Sequence, residues 1–196
     1  LRVCDYFDRP LAISFWFTGG ADCLAEQDAF NRASERFEGE INFFFHFTVD
    51  PATARDFDDA VSAETTEGGV RLWVHIADVA AHIAPGSALE AEAYRRATSV
   101  YVPGDVEPML PHALSNEACS LTPGEERLAV TTELEFTDRG EVRSVVFYRS
   151  RVRSDARLNY EALDKVFTGR EAAPDPVAEP IALARRAAAA LAERRA

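Results

Sequence analysis

The sequence predicts an α+β domain, a mixed sheet with packed helices rather than a regular alternation of strand and helix. Three observations carry that expectation. Two alternating segments flank turn residues and read as hairpins, over 60–76 and 128–153. Helical periodicity is confined to two stretches, 88–96 and 181–195. Between the hairpins, Pro103, Gly104, Pro108, Pro111, Pro123 and Gly124 bar long regular elements, so 101–124 reads as ordered but irregular. The length of 196 residues suits one domain, or one domain with an extension, and buries a core without staples.

In chain order, residues 1–40 remain unassigned. They combine the aromatic patch Phe15-Trp16-Phe17 with Gly19-Gly20 and a polar stretch. Phe43–Phe47 is a short aromatic run bounded by polar residues, the pattern of a buried strand. Ala60–Thr66 and Val70–Ile76 flank Glu67-Gly68-Gly69, whose glycines tolerate positive φ. In the second of these strands Val70, Leu72, Val74 and Ile76 share one face, with Arg71, Trp73 and His75 opposite. After Pro85-Gly86, Ser87 and Glu90 form a capping box that opens a helix over 88–96. Leu128–Phe136 turns at Asp138-Arg139-Gly140 and returns as Val142–Arg153. A proline-rich linker, 174–180, precedes the last helix. Pro180 is expected at its first position, with Ile181, Ala184, Ala188 and Leu191 on its apolar face.

Composition is that of a globular protein, 47% apolar and 28% charged. No apolar run approaches the length of a membrane helix, so no membrane partner is expected. The start has neither an initiator Met nor a signal-peptide pattern, as expected of a fragment. Cys4, Cys23 and Cys119 are odd in number and widely spaced, which fits a reducing cytoplasm better than a disulfide framework. The net charge of −12 opposes nucleic-acid binding taken alone, but it is uneven. Residues 1–140 carry ten basic and twenty-five acidic groups, whereas 141–196 carry eleven and eight.

The most informative stretch is Thr48-Val49-Asp50-Pro51-Ala52-Thr53-Ala54-Arg55-Asp56-Phe57-Asp58-Asp59-Ala60. Four carboxylates fall within ten residues, between an aromatic run and a strand rather than in a polar tract. In an extended chain Asp56 and Asp58 project to one side and Asp59 to the other. Anions held this close repel one another, and a hard divalent cation resolves the repulsion. Oxygen-only donors favour Mg²⁺ or Mn²⁺ over Zn²⁺. Two chemistries remain open on spacing alone. One is metal-dependent phosphodiester hydrolysis. The other is a nucleotide-sugar transferase using Asp56-Phe57-Asp58 to hold Mn²⁺ and a diphosphate.

The longer pattern resembles the catalytic (RNB) domain of the ribonuclease II / ribonuclease R family. After Asp50–Ala60 the match continues through His75-Ile76-Ala77-Asp78-Val79, Pro85-Gly86-Ser87, Thr98-Ser99-Val100-Tyr101 and Pro108-Met109-Leu110-Pro111. It goes on through Leu114-Ser115-Asn116, Cys119-Ser120-Leu121, Ser154, Ala156-Arg157-Leu158 and Tyr160. The resemblance assigns 41–196 to the N-terminal part of such a domain. It implies a processive, Mg²⁺-dependent 3′→5′ exoribonuclease acting on single-stranded RNA and releasing nucleoside 5′-monophosphates. Asp50, Asp56, Asp58 and Asp59 match the active-site aspartates. Asp50 and Asp59 would ligate the metal, Asp56 would support metal or phosphate, and Asp58 would be most critical to the chemistry. Tyr101 matches a tyrosine packing near the 3′-terminal nucleotide. The family's second half-domain, with its arginine-rich segment, and its C-terminal RNA-binding domain find no counterpart in this sequence. Phe43–Phe47 departs from the family's polar approach to the aspartates.

Other positions carry narrower expectations. His75 is expected to be hydrogen-bonded within the domain, Asp78 to cap a turn, Cys119 to be a buried thiol and Met109 to pack. Arg143, Arg149, Arg151 and Arg153 share strand parity and would line one basic face for the RNA backbone. A catalytically inactive RNA-binding or assembly protein with the same fold is the second reading.

Overall fold

The computed structural model describes residues 47–49, 55–102 and 105–195. Residues 1–40, most of the Phe43–Phe47 run and Asp50 lie outside them. Strands β1 (Phe47–Val49), β2 (Asp59–Thr66), β3 (Gly69–Ala77), β6 (Glu126–Thr137), β7 (Val142–Arg153) and β8 (Ala156–Leu158) form one sheet; β4 (Val100–Val102) and β5 (Asp105–Glu107) pair separately. The order in the large sheet is β7-β6-β3-β2-β1-β8. β1 runs parallel to β8 and the other neighbours are antiparallel, so the sheet is mixed. Helices α1 (Ala88–Arg96), α2 (Tyr160–Phe167) and α3 (Ala178–Arg195) complete an α+β fold.

Both predicted hairpins form. In the β2–β3 turn only Gly68 takes a positive φ, +73°. Gly69 serves a different need: a Cβ there would lie 1.8 Å from the Phe136 carbonyl oxygen on β6. α1 spans the predicted residues. Ser87 Oγ accepts from the Glu90 amide at 3.1 Å, but Glu90 reaches back to the Gly86 N–H rather than to Ser87. α3 starts earlier than expected, at Ala178, with Pro180 inside the first turn, where its missing N–H is not needed. Its buried face is also rotated. Ile181, Leu183 and Ala187 are buried while Ala188 is exposed, because Leu183 packs into the cluster of Ala63, Val70 and Phe136.

The sheet is covered on both faces at its centre. α3 caps the face of Ala63, Val70 and Phe136. On the opposite face Ala60, Ala77, Ala129 and Val152 pack against Phe57, Cys119 and Leu121 from the irregular connections. The face of Trp73 and His75 is therefore as buried as the apolar one, at 2% and 0% exposure.

Candidate active site

Residues 55–58 lead into β2 and carry alternating environments: Arg55, Asp56 and Asp58 are exposed while Phe57 is buried. Phe57 is the anchor. Its N–H donates to Ser120 Oγ at 3.1 Å, and its carbonyl accepts from the Leu121 N–H at 2.7 Å. Ser120 Oγ in turn donates to the Arg55 carbonyl at 3.0 Å. The Arg157 guanidinium lies over the Phe57 ring, 4.5 Å from its centre. The carbonyl of Asp58 then accepts from the Ala77 N–H at 2.8 Å, joining the segment to the end of β3. Cys119-Ser120-Leu121 thus pins the carboxylate segment at both edges of one buried ring, leaving Asp56, Asp58 and Asp59 facing solvent.

Those carboxylates repel. Partial burial raises the Asp58 pKa above its ordinary 3.8; its own backbone N–H opposes the rise and Asp56 adds to it. Burial likewise raises Asp59, with Asp58 contributing. The donors are oxygens only, and their unrelieved repulsion suits a hard cation. Among the described residues no group of three or more His, Cys, Asp or Glu is gathered to hold a metal, and Asp50 lies outside them. Two residues before Asp50, Thr48 is fully buried, and its hydroxyl has no hydrogen-bond partner among the described residues.

The neighbouring motif residues are structural. His75 bridges Ser62 Oγ (3.0 Å) and Thr131 Oγ1 (2.8 Å), and Thr131 continues to Ser150 Oγ at 2.6 Å, a buried polar row across β2, β3, β6 and β7. Asp78 caps the turn Val79–Ala81 through the Ala81 N–H and pairs with Arg149 at 3.1 Å. Cys119 is a buried free thiol; burial and Asp78 push its pKa up, against a lowering by Arg127, which disfavours the thiolate. Met109 is half-buried, its N–H donating to Ser99 Oγ.

The expected arginine row breaks at a β-bulge. One extra residue in β7 opposite Glu135/Phe136 inverts the parity, and Arg143 turns to Glu135 and the Glu67 carbonyl instead of joining Arg149, Arg151 and Arg153. Arg149 pairs with Asp78 and Arg151 with Glu126, so the remaining row is partly neutralised. The backbone of Tyr101 belongs to β4; its side chain lies outside the described residues.

The described residues form a six-stranded mixed sheet that presents a carboxylate segment at the start of β2. The chain matches the RNB domain over residues 40–196 and belongs to that family. It is 46% identical to ribonuclease R of Chlamydia muridarum over 129 residues, 65% of this chain and 19% of the relative. Against ribonuclease R of Escherichia coli the figures are 45% over 123 residues, 62% and 15%. The chain therefore spans less than a fifth of the length of these curated relatives. Mycoplasma genitalium RNase R, solved in complex with double-stranded RNA, superposes with a TM-score of 0.77 at 30% identity, covering 91% of this chain and 33% of that one. Yeast Ssd1, a pseudonuclease, shares the fold at a TM-score of 0.69 and 21% identity, over 82% of this chain and 20% of its own.

Sequence reasoning missed the parts that hold the segment in place. Ser120 carries no role in the sequence motif, and Phe57 enters only as the middle residue of Asp56-Phe57-Asp58. The signal was the alternation itself, one aromatic between two exposed carboxylates. Helix α2 was also missed, although Asn159 caps it through the Ala162 N–H at 2.8 Å.

Proposed function

We propose that this chain supplies the first part of the catalytic domain of a Mg²⁺-dependent, processive 3′→5′ exoribonuclease. Its substrate is single-stranded RNA and its products are nucleoside 5′-monophosphates. The observation that carries the reading is the anchored segment 55–59, with three carboxylates exposed around one buried phenylalanine, in a chain of the RNB family. Asp50 and Asp59 hold the ion, with Asp56 supporting it, and Asp58 is the carboxylate most critical to the reaction. Mn²⁺ suits the same oxygens. When bound, the cation supplies Lewis acidity and neutralises charge at the phosphate. The chain's own contribution is orientation: Ser120 and the buried Phe57 ring fix the backbone that carries Asp56, Asp58 and Asp59. Tyr101 packs against the 3′-terminal nucleotide, and Arg149, Arg151 and Arg153 face the RNA backbone. A cytoplasmic setting rests on the buried free thiol of Cys119 and the spacing of the cysteines.

The second reading is a catalytically inactive RNA-binding or assembly protein with the same fold, a fold that a pseudonuclease shares. A single assay separates the two. The full-length protein is incubated with 5′-labelled single-stranded RNA and Mg²⁺, beside Asp58→Asn. The exoribonuclease releases mononucleotides from the 3′ end, and Asp58→Asn loses at least about a hundredfold in rate. RNA bound by both proteins and degraded by neither establishes the second reading.

A further inference from the structure

On the side of the carboxylate segment marked by Phe57, the chain folds around a cavity of about 570 Å³ that none of the proposed catalytic roles uses. Arg55 and Arg157 line it together with Phe57, His112, Asn116 and Thr122. Glu117 is the single acid in that lining among the described residues. In a chain of net charge −12, two guanidinium groups in one concavity run against the overall composition.

The lining is also arranged for donation. Asn116 sits in a π-helical turn, Ala113–Ala118, closed by the Cys119 N–H on the Leu114 carbonyl at 2.9 Å. Such wide turns recur at functional sites. The Asn116 amide nitrogen lies 3.2 Å from His112 Nδ1, and Ser115 Oγ donates to its oxygen at 2.8 Å. An amide nitrogen only donates, so this contact suits the imidazole tautomer that carries its proton on Nε2, a donor at the ring's other end. The Arg157 guanidinium lies over the Phe57 ring, 4.5 Å from its centre, which places it before any ligand arrives. Among the described residues the Arg55 side chain makes no hydrogen bond or ion pair, although its backbone is fixed by Ser120. Planar guanidinium forks with added N–H and O–H donors match the oxygens of a phosphate group.

We infer that this cavity is a phosphate-binding site, on the opposite side of the carboxylate segment from Asp56 and Asp58. It takes a phosphate group of an RNA strand or of a nucleotide. The identity of the wider ligand rests on the exoribonuclease reading; the site itself does not. Because Phe57 is shared, phosphate held by Arg55 and Arg157 bears on the backbone that carries the carboxylates.

Isothermal titration of the full-length protein in EDTA tests this without the metal site. Three probes are used: inorganic phosphate, uridine 5′-monophosphate, and an oligouridylate with hydroxyl ends. Saturable one-to-one binding of at least one probe is expected. Arg55→Ala should weaken it about tenfold, and Glu117→Gln should tighten it. Asp58→Asn should bind as the parent does. Binding of the first two probes alone assigns a terminal phosphate; binding of the oligouridylate assigns a backbone phosphate. No binding of any probe, parent-like binding by Arg55→Ala, or loss of binding in Asp58→Asn overturns the inference. The RNA assay fails or succeeds separately, since EDTA silences it and leaves this titration intact.

Discussion

Two acidic regions of this molecule behave in opposite ways. On α1, Glu92 receives Arg95 at 2.6 Å and Arg96 at 2.8 Å, and hydrogen bonds from these guanidiniums hold its pKa down at about 2. Arg96 also binds Glu107 and the Pro108 carbonyl, tying the helix to β5. At the sheet end, Asp58 and Asp59 are raised by burial and by their neighbouring carboxylates. The backbone shows the same contrast. α1 buries no residue and leaves Tyr94 88% exposed, whereas the carboxylate segment is fastened to the core through Phe57. Acids answered by arginines hold structure together. Acids held against one another on a rigid base keep a mutual repulsion that a bound cation would relieve.

The base is where the contrast breaks first. Phe57→Ala leaves a void beneath the segment and should cost about 3–5 kcal/mol, read by denaturant unfolding. Ser120→Ala removes one hydroxyl that accepts from Phe57 and donates to Arg55. It should cost about 1–3 kcal/mol and lower RNA turnover in the full-length protein more than a matched loss of stability at Ala187.

The opposite pKa shifts give opposite responses to pH. The raised groups bind protons more readily in the folded state, so in metal-free buffer their contribution to stability falls as pH rises from the ordinary 3.8 through the folded values. Mg²⁺ should therefore raise Tm at pH 7, and Asp58→Asn should blunt that rise. An unchanged Tm in both proteins removes the electrostatic argument for a metal. Glu92 follows the other sign: its stabilising contribution is present above its ordinary 4.5 and lost as pH falls toward about 2. The smallest effect belongs here. Glu92→Gln should leave RNA turnover unchanged, and a loss would mean that α1 does more than hold β5.

Much of the fold was legible because its strongest patterns are local. The β2–β3 and β6–β7 hairpins follow from alternation and turn glycines, and α1 from Ser87 and Glu90. What was hidden depends on distant pairing. The parallel contact of β1 with β8 joins Phe47 to Ala156, which no local pattern announces. The rotation of α3 was decided by Leu183 meeting Phe136, and the parity of Arg143 by one bulged residue. At the candidate site the four aspartates stood out by spacing, but their support came from Ser120, sixty-three residues beyond Phe57. The cavity of Arg55 and Arg157 likewise joins residues that only the sheet brings together.

Titration of the protein with Mn²⁺, followed by the electron paramagnetic resonance of the free ion, tests the central claim most directly. The account predicts that the parent protein removes the free-ion signal with one tight site. It predicts that Asp58→Asn weakens that site about tenfold or more, while Glu92→Gln leaves it unchanged. Equal Mn²⁺ binding by the parent and Asp58→Asn would contradict it.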